Sequence, residues 1–145
     1  MRTAPPERGS AAEQDAEPVL VVPGRPWAVR LAGEHSAWPA VEVYRAGALL
    51  DVVSSTRLAP VLLRGACAAE GRTGPCVLAW GQMPVTGASP EAEFTLGRCR
   101  PYSQPGIVLR PTSWCWLAVA DGHFDRVAVQ SADGCFIARI RQWRS

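Results

Sequence analysis

Short apolar runs broken by glycine, proline or aspartate recur from Val19 to the C-terminus. This punctuation is the signature of an all-β domain, because apolar positions return every two residues and turn residues close each run. Val41-Glu42-Val43-Tyr44 alternates strictly, and Ala46-Gly47 leads on into Ala48-Leu49-Leu50-Asp51-Val52-Val53. The pattern predicts a hairpin whose turn uses the positive φ that Gly47 can adopt. Pro60 to Cys67 and Pro75 to Trp80 predict a second strand pair across the loop 68–74. Each run begins with proline, where a strand tolerates a missing N–H.

The stretch 81–111 is rich in glycine and proline, and only Glu93 to Leu96 and Ile107 to Arg110 read as strands. Connections over the surface or along a sheet edge are expected there. The C-terminal third is the clearest part of the pattern. Trp114 to Ala120, Arg126 to Ser131 and Cys135 to Arg141 predict a three-stranded antiparallel meander, joined at Asp121-Gly122 and Asp133-Gly134. Alternation puts Val127 and Val129 on one face, and Phe136, Ala138 and Ile140 on one face. The best helical candidate, Thr56 to Ala69, is interrupted by Pro60 and Gly65, and Val61-Leu62-Leu63 reads equally well as a buried strand. The expectation is therefore a small antiparallel β-sandwich or partly closed barrel of about eight to ten short strands.

Composition divides the chain. Residues 1–18 have a formal charge of −2 and no apolar period. Such a segment buries too little surface to offset its ordering entropy, so a disordered acidic tail is expected before a single β domain at 19–145. The whole chain is 48% apolar and 19% charged, as globular domains are. No apolar run reaches the roughly 18 residues of a membrane span, and the N-terminus lacks a signal-peptide layout, which points to a cytoplasmic protein. All 15 basic residues are arginine, with no lysine or asparagine. That bias reads as a GC-rich, bacterial coding sequence rather than as selection for arginine's planar fork.

Candidate chemistry is sparse. Five cysteines without Cys-x-x-Cys spacing fit neither a disulfide framework nor a zinc site, so free, mostly buried thiols are expected and no metal or cofactor is implied. Cys67 and Cys76 flank the glycine-rich loop and could face each other across a hairpin. His123 lies among Asp121, Gly122, Phe124 and Asp125, where a carboxylate could orient it toward Cys99, Cys115 or Cys135; solvated turn hydrogen bonds explain the same residues. No glycine pattern matches a phosphate-binding loop.

Arg45 after Tyr44, Ser54-Ser55-Thr56 at a strand end, and Glu91-Ala92-Glu93 before Phe94 together resemble the motifs of the ADP-ribosyltransferases. The resemblance implies Arg45 on the cofactor phosphates and Glu93 as the catalytic carboxylate. Arg45 and Ser54 stand on two arms of one hairpin, closer in sequence than that family places them, and the intervening helices are missing.

Surplus tryptophan and uneven charge give the main functional expectation. There are six Trp against three Phe and two Tyr. Trp80 and one of Trp114 and Trp116 are expected in the core, while Trp27, Trp38 and Trp143 are candidates for the surface. Trp114 and Trp116 are expected on one face of their strand. Residues 98–145 hold seven arginines against three aspartates, and Arg139 and Arg141 share a face ahead of Trp143 and Arg144. Exposed Trp and Arg together make binding hot spots. The expectation is a non-catalytic module that binds a protein partner or its own copy, with Trp114, Trp116, Arg139, Arg141, Trp143 and Arg144 as the binding set. The alternative is a small-ligand or single-stranded nucleic-acid site on the Trp114/Trp116 and Arg139/Arg141 strands, although a net charge of +2 draws nucleic acid only weakly.

Overall fold

The computed structural model describes residues 20–33, 37–55 and 60–142. The expected tail at 1–18 lies outside them, as do His35, Trp143 and Arg144. Within the described residues the chain forms β1 (Leu20–Val21), β2 (Trp27–Ala32), β3 (Ala40–Arg45), β4 (Ala48–Ser54), β5 (Gly65–Gly71) and β6 (Gly74–Gln82). There follow β7 (Glu91–Leu96), β8 (Tyr102–Pro105), β9 (Ile107–Thr112), β10 (Cys115–Asp121), β11 (Arg126–Ser131), β12 (Gly134–Arg139) and β13 (Arg141–Gln142). No helix is present among the described residues, so none is long and apolar enough to cross a membrane.

The all-β class stands as expected, but in three sheets, none of them closed into a barrel. The first sheet is the meander β1-β2-β3-β4, the central sheet runs β13-β5-β6-β10-β9, and the third runs β12-β11-β7-β8. Pairing is antiparallel except where β13 joins β5. Two apolar clusters explain the layering. Trp27, Val29, Val41, Val43 and Val53 of the first sheet meet Cys76, Leu78, Trp80, Leu117 and Val119 of the central one. On the other face, Val77, Ala79, Trp116, Ala118 and Ala120 meet Phe94, Val127 and Val129 of the third sheet. The central strands thus alternate between two cores rather than between core and water. A sheet covered on both faces needs apolar residues at both parities, which is why β6 and β10 read as nearly unbroken hydrophobic runs.

The β3–β4 hairpin forms as expected. Arg45 pairs with Ala48 across Ala46 (φ 47°) and Gly47 (φ 83°), a two-residue turn whose twist matches its strands. The second hairpin is tighter than expected, because β5 and β6 continue to the Gly71–Gly74 pair and leave only Arg72 and Thr73 between, while β5 begins at Gly65 rather than at Pro60. In the 81–111 stretch, β8 and β9 are sheet-edge strands, in keeping with the edge placement expected there, but β8 was not expected as a strand and β7 lies inside the third sheet between β11 and β8.

The three C-terminal strands divide between two sheets instead of forming one meander. β10 pairs with β6 and β9, while β11 pairs with β12 and β7. β10 is apolar at both parities and must be covered twice, so it sits in the middle layer. The chain then crosses to the third sheet at 122–125, with Phe124 plugged into the core at the crossing. The β11–β12 hairpin follows, closed at Ser131 and Gly134 around Ala132 and Asp133, one residue earlier than the sequence signal. Buried Ile140 marks a second crossing, and β13 returns to the central sheet beside Cys67 and Ala68.

Candidate functional site

Each sheet ends on the same side of the molecule in an edge strand: β4, β13 and β12. Between them lies a groove of about 400 Å³ whose lining includes Leu49, Asp51, Arg64, Trp80, Arg139 and Arg141. Its polar hinge is Asp51. The Asp51 carboxylate accepts from Arg64 Nε at 2.7 Å and Arg64 Nη2 at 3.0 Å, and from Trp80 Nε1 at 2.8 Å. Burial by itself would raise the Asp51 carboxyl. Hydrogen bonds from Arg64 and Trp80, with the Arg64 charge, outweigh it and hold the group below its ordinary value. The same pairing raises Arg64. The bidentate pair ties β4 of the first sheet to the segment entering the central one, with the Trp80 ring packed over Gly65.

Arg139 ends β12 of the third sheet and Arg141 begins β13 of the central one, so they do not share a face of one strand as expected; both are exposed and both line this groove. Neither makes an ion pair among the described residues. The tryptophans behave differently. Trp116 is 0% exposed in the core facing the third sheet, where its Nε1 donates to the Leu62 carbonyl at 2.7 Å. Trp114 precedes β10 in the β9–β10 turn and packs against the opposite core, its Nε1 donating to the Val53 carbonyl at 3.3 Å. The pair therefore serves opposite faces of the central sheet and does not form the expected shared face. Trp114 lines a different cavity of about 590 Å³ with Met83, Pro84 and Val85, apart from the arginines. Trp80 is in the core as expected and Trp38 is exposed, while Trp27, a surface candidate, is 2% exposed and fills the first core.

The catalytic candidates do not converge. All five cysteines are free, three of them buried. Burial pushes the Cys67 and Cys115 thiols up to about 12, far from the thiolate a nucleophile needs at neutral pH. Cys67 and Cys76 are not cross-strand partners, since Cys67 pairs with Leu78 and Ala69 with Cys76. Arg45 lines a depression with Glu70, His123 and Asp125, whereas Glu93 lines another with Pro105 and Cys135 on the third sheet. The residues of the ADP-ribosyltransferase-like motifs thus do not share a cleft. No group of three or more metal-binding side chains occurs among the described residues.

One feature went unread in the sequence. β12 is an edge strand exposed along nearly its whole length, with Phe136 44% and Ile137 70% exposed. From Gly134 to Ala138 it carries no charge and no proline. The signal was present in the pattern, since Gly134-Cys135-Phe136-Ile137-Ala138 lacks the polar alternation of a strand with one wet face. Natural edges are usually short, charged or proline-bearing, and the other five edges among the described residues follow that rule, whereas the one charge of β12, Arg139, stands at its last residue. β1 and β13 have two residues each, β8 ends at Pro105, β9 carries Arg110 and Pro111, and β4 carries Asp51 beside a bulge.

Comparison of the chain with protein-family models, with curated proteins and with solved structures finds no match.

Proposed function

We propose that the protein is a non-catalytic β module that binds a protein chain by strand addition along β12. The observation that carries this reading is the apolar, uncharged edge from Gly134 to Ala138, with Ile137 and Phe136 facing water. Such an edge offers a row of unpaired N–H and C=O groups for affinity and alternating side chains for selectivity. Fully burying an Ile or Phe side chain is worth about 1.5–3 kcal/mol, so even partial cover of these two residues rewards a partner. Arg139 at the end of the strand, with Arg141 just beyond it at the start of β13, suits an acidic residue on the incoming chain. The free cysteines fit the reducing, cytoplasmic setting read from the sequence.

The test is affinity capture of the tagged full chain from an extract of its source, after nuclease, beside the Ile137→Pro variant. A near-stoichiometric protein retained by the wild type and lost by the variant supports the reading. A partner held equally by both overturns it. The two exposed arginines on one groove, without an ion pair among the described residues, favour a second reading, a site for single-stranded nucleic acid. A salt-dependent mobility shift with oligonucleotides, abolished by Arg139→Ala with Arg141→Ala, would establish that instead.

A further inference from the structure

We infer that the strand that docks on β12 is β12 of a second copy, antiparallel about a two-fold axis at Ile137. This rests on the strand-addition reading above and names its occupant.

Hydrogen-bond phase fixes the geometry. Ser131 and Gly134 close a two-residue turn, and the closing pair of such a hairpin exchanges both backbone bonds. Bonded pairs then fall at every second residue, Val129 with Phe136 and Val127 with Ala138. The Ile140 N–H donating to the Asp125 carbonyl at 3.0 Å continues the same phase. The backbone groups of Gly134, Phe136 and Ala138 are therefore spent on β11, and those of Cys135, Ile137 and Arg139 point to the free edge. An axis at Ile137 sets Ile137 opposite itself and Cys135 opposite Arg139, so every outward-facing residue of the strand meets another. That gives about six inter-chain hydrogen bonds. Moving the axis by one residue in either direction leaves about four within the strand.

The side chains agree with that register. Ile137 meets Ile137 of the second copy on the outer face, and Phe136 lies opposite Ala138 on the other. The central run has no charge to bury. The two Arg139 residues stand about 13 Å apart along the strands, beyond the screening length of about 8–10 Å, so like charges do not oppose the pairing. A parallel arrangement would instead place Arg139 beside Arg139. The two-fold contact is closed, leaving as outer edges of the joined sheet the two copies of β8, each ending at Pro105.

The experiment is sedimentation equilibrium of the full chain, with Ile137→Pro and Ile137→Lys as parallel variants. The wild type should dimerise. Proline removes an N–H that faces away from β11, so the hairpin persists, and lysine alters only an exposed side chain; each should weaken dimerisation by about 100-fold. Register is read by mild oxidation in a Cys99→Ser, Cys135→Ser background. Ile137→Cys should give a disulfide-linked dimer, since paired Cα atoms at about 5.5 Å lie within disulfide reach, and Phe136→Cys should not. A wild type that stays monomeric at the highest soluble concentration overturns the proposal. It leaves strand addition to a different protein standing, to be decided by the capture assay. A dimer unaffected by both variants, or one cross-linked through Phe136→Cys instead, also overturns it.

Discussion

Among the described residues two ion pairs join the first and central sheets by charge, Arg25–Asp121 and Arg64–Asp51, and removal of the less exposed carboxylate, Asp51, should be measurable. Its carboxylate receives the Arg64 fork and the Trp80 indole N–H, and its own Oδ1 takes the Val52 N–H at 2.8 Å. In the ion pair the side chains are 21% and 30% exposed, so water screens it only in part. A hydrogen bond to a charged acceptor is worth about 1.5–3 kcal/mol, and a buried donor left unsatisfied costs about 1–3 kcal/mol. Arg64 can turn to solvent after the loss, but the Trp80 ring is packed over Gly65 and cannot follow. Asp51→Ala should therefore cost about 3 kcal/mol. Asp51→Asn, which keeps an acceptor for the indole, should cost about 1 kcal/mol. For a chain of this size these losses lower Tm by about 9 and 3 °C. Urea unfolding gives the free energies, and a double-mutant cycle with Arg64→Met isolates the pair at about 1 kcal/mol. Because the folded-state carboxyl is held below its ordinary value, the stabilisation is complete above the ordinary carboxylate range. It is lost as pH falls through the lowered value. The gap between wild type and Asp51→Asn should stay constant from neutral pH down to that range and close below it. A loss under 0.5 kcal/mol for Asp51→Ala, about the size of an ordinary surface change, would show that Asp51 does not tie the two sheets together.

Gly81→Ala should cost about 3 kcal/mol in urea unfolding, because a Cβ there would fall 1.7 Å from the Leu62 carbonyl oxygen; an unchanged midpoint would contradict that packing. Trp116→Phe deletes the donor to the same buried carbonyl and should lower stability by about 2–3 kcal/mol, with no effect on capture of a partner through β12. A thiol reagent at mildly alkaline pH should label Cys99 and Cys135 in the native protein, and Cys67, Cys76 and Cys115 only after denaturation. Rapid native labelling of Cys115 would be incompatible with its burial and its thiol pushed up to about 12.

The sequence by itself determined what is local. Strict alternation over Val41 to Tyr44 with Gly47 after it placed a hairpin and its turn, and the proline-rich middle was placed at sheet edges correctly for β8 and β9 but not for β7. Arg139 and Arg141 meet on one groove only because the chain crosses between sheets at Ile140, not because they alternate along one strand. What the sequence left undecided was which strand lies beside which, and how many faces of a sheet are covered. A period of two says that successive side chains point opposite ways, not whether water or another sheet waits on either side. For β10 both sides are covered. Trp114 and Trp116, two residues apart, end on opposite faces because Trp114 lies in the turn before the strand and outside its alternation. For β12 the reverse holds: an apolar run is left at an edge, because the next described strand, β13, joins the central sheet instead of pairing beside it. Burial is a property of neighbours, and neighbours across sheets come from residues far apart in the chain. Which apolar strand makes the core and which is left at an exposed edge is decided by those distant neighbours.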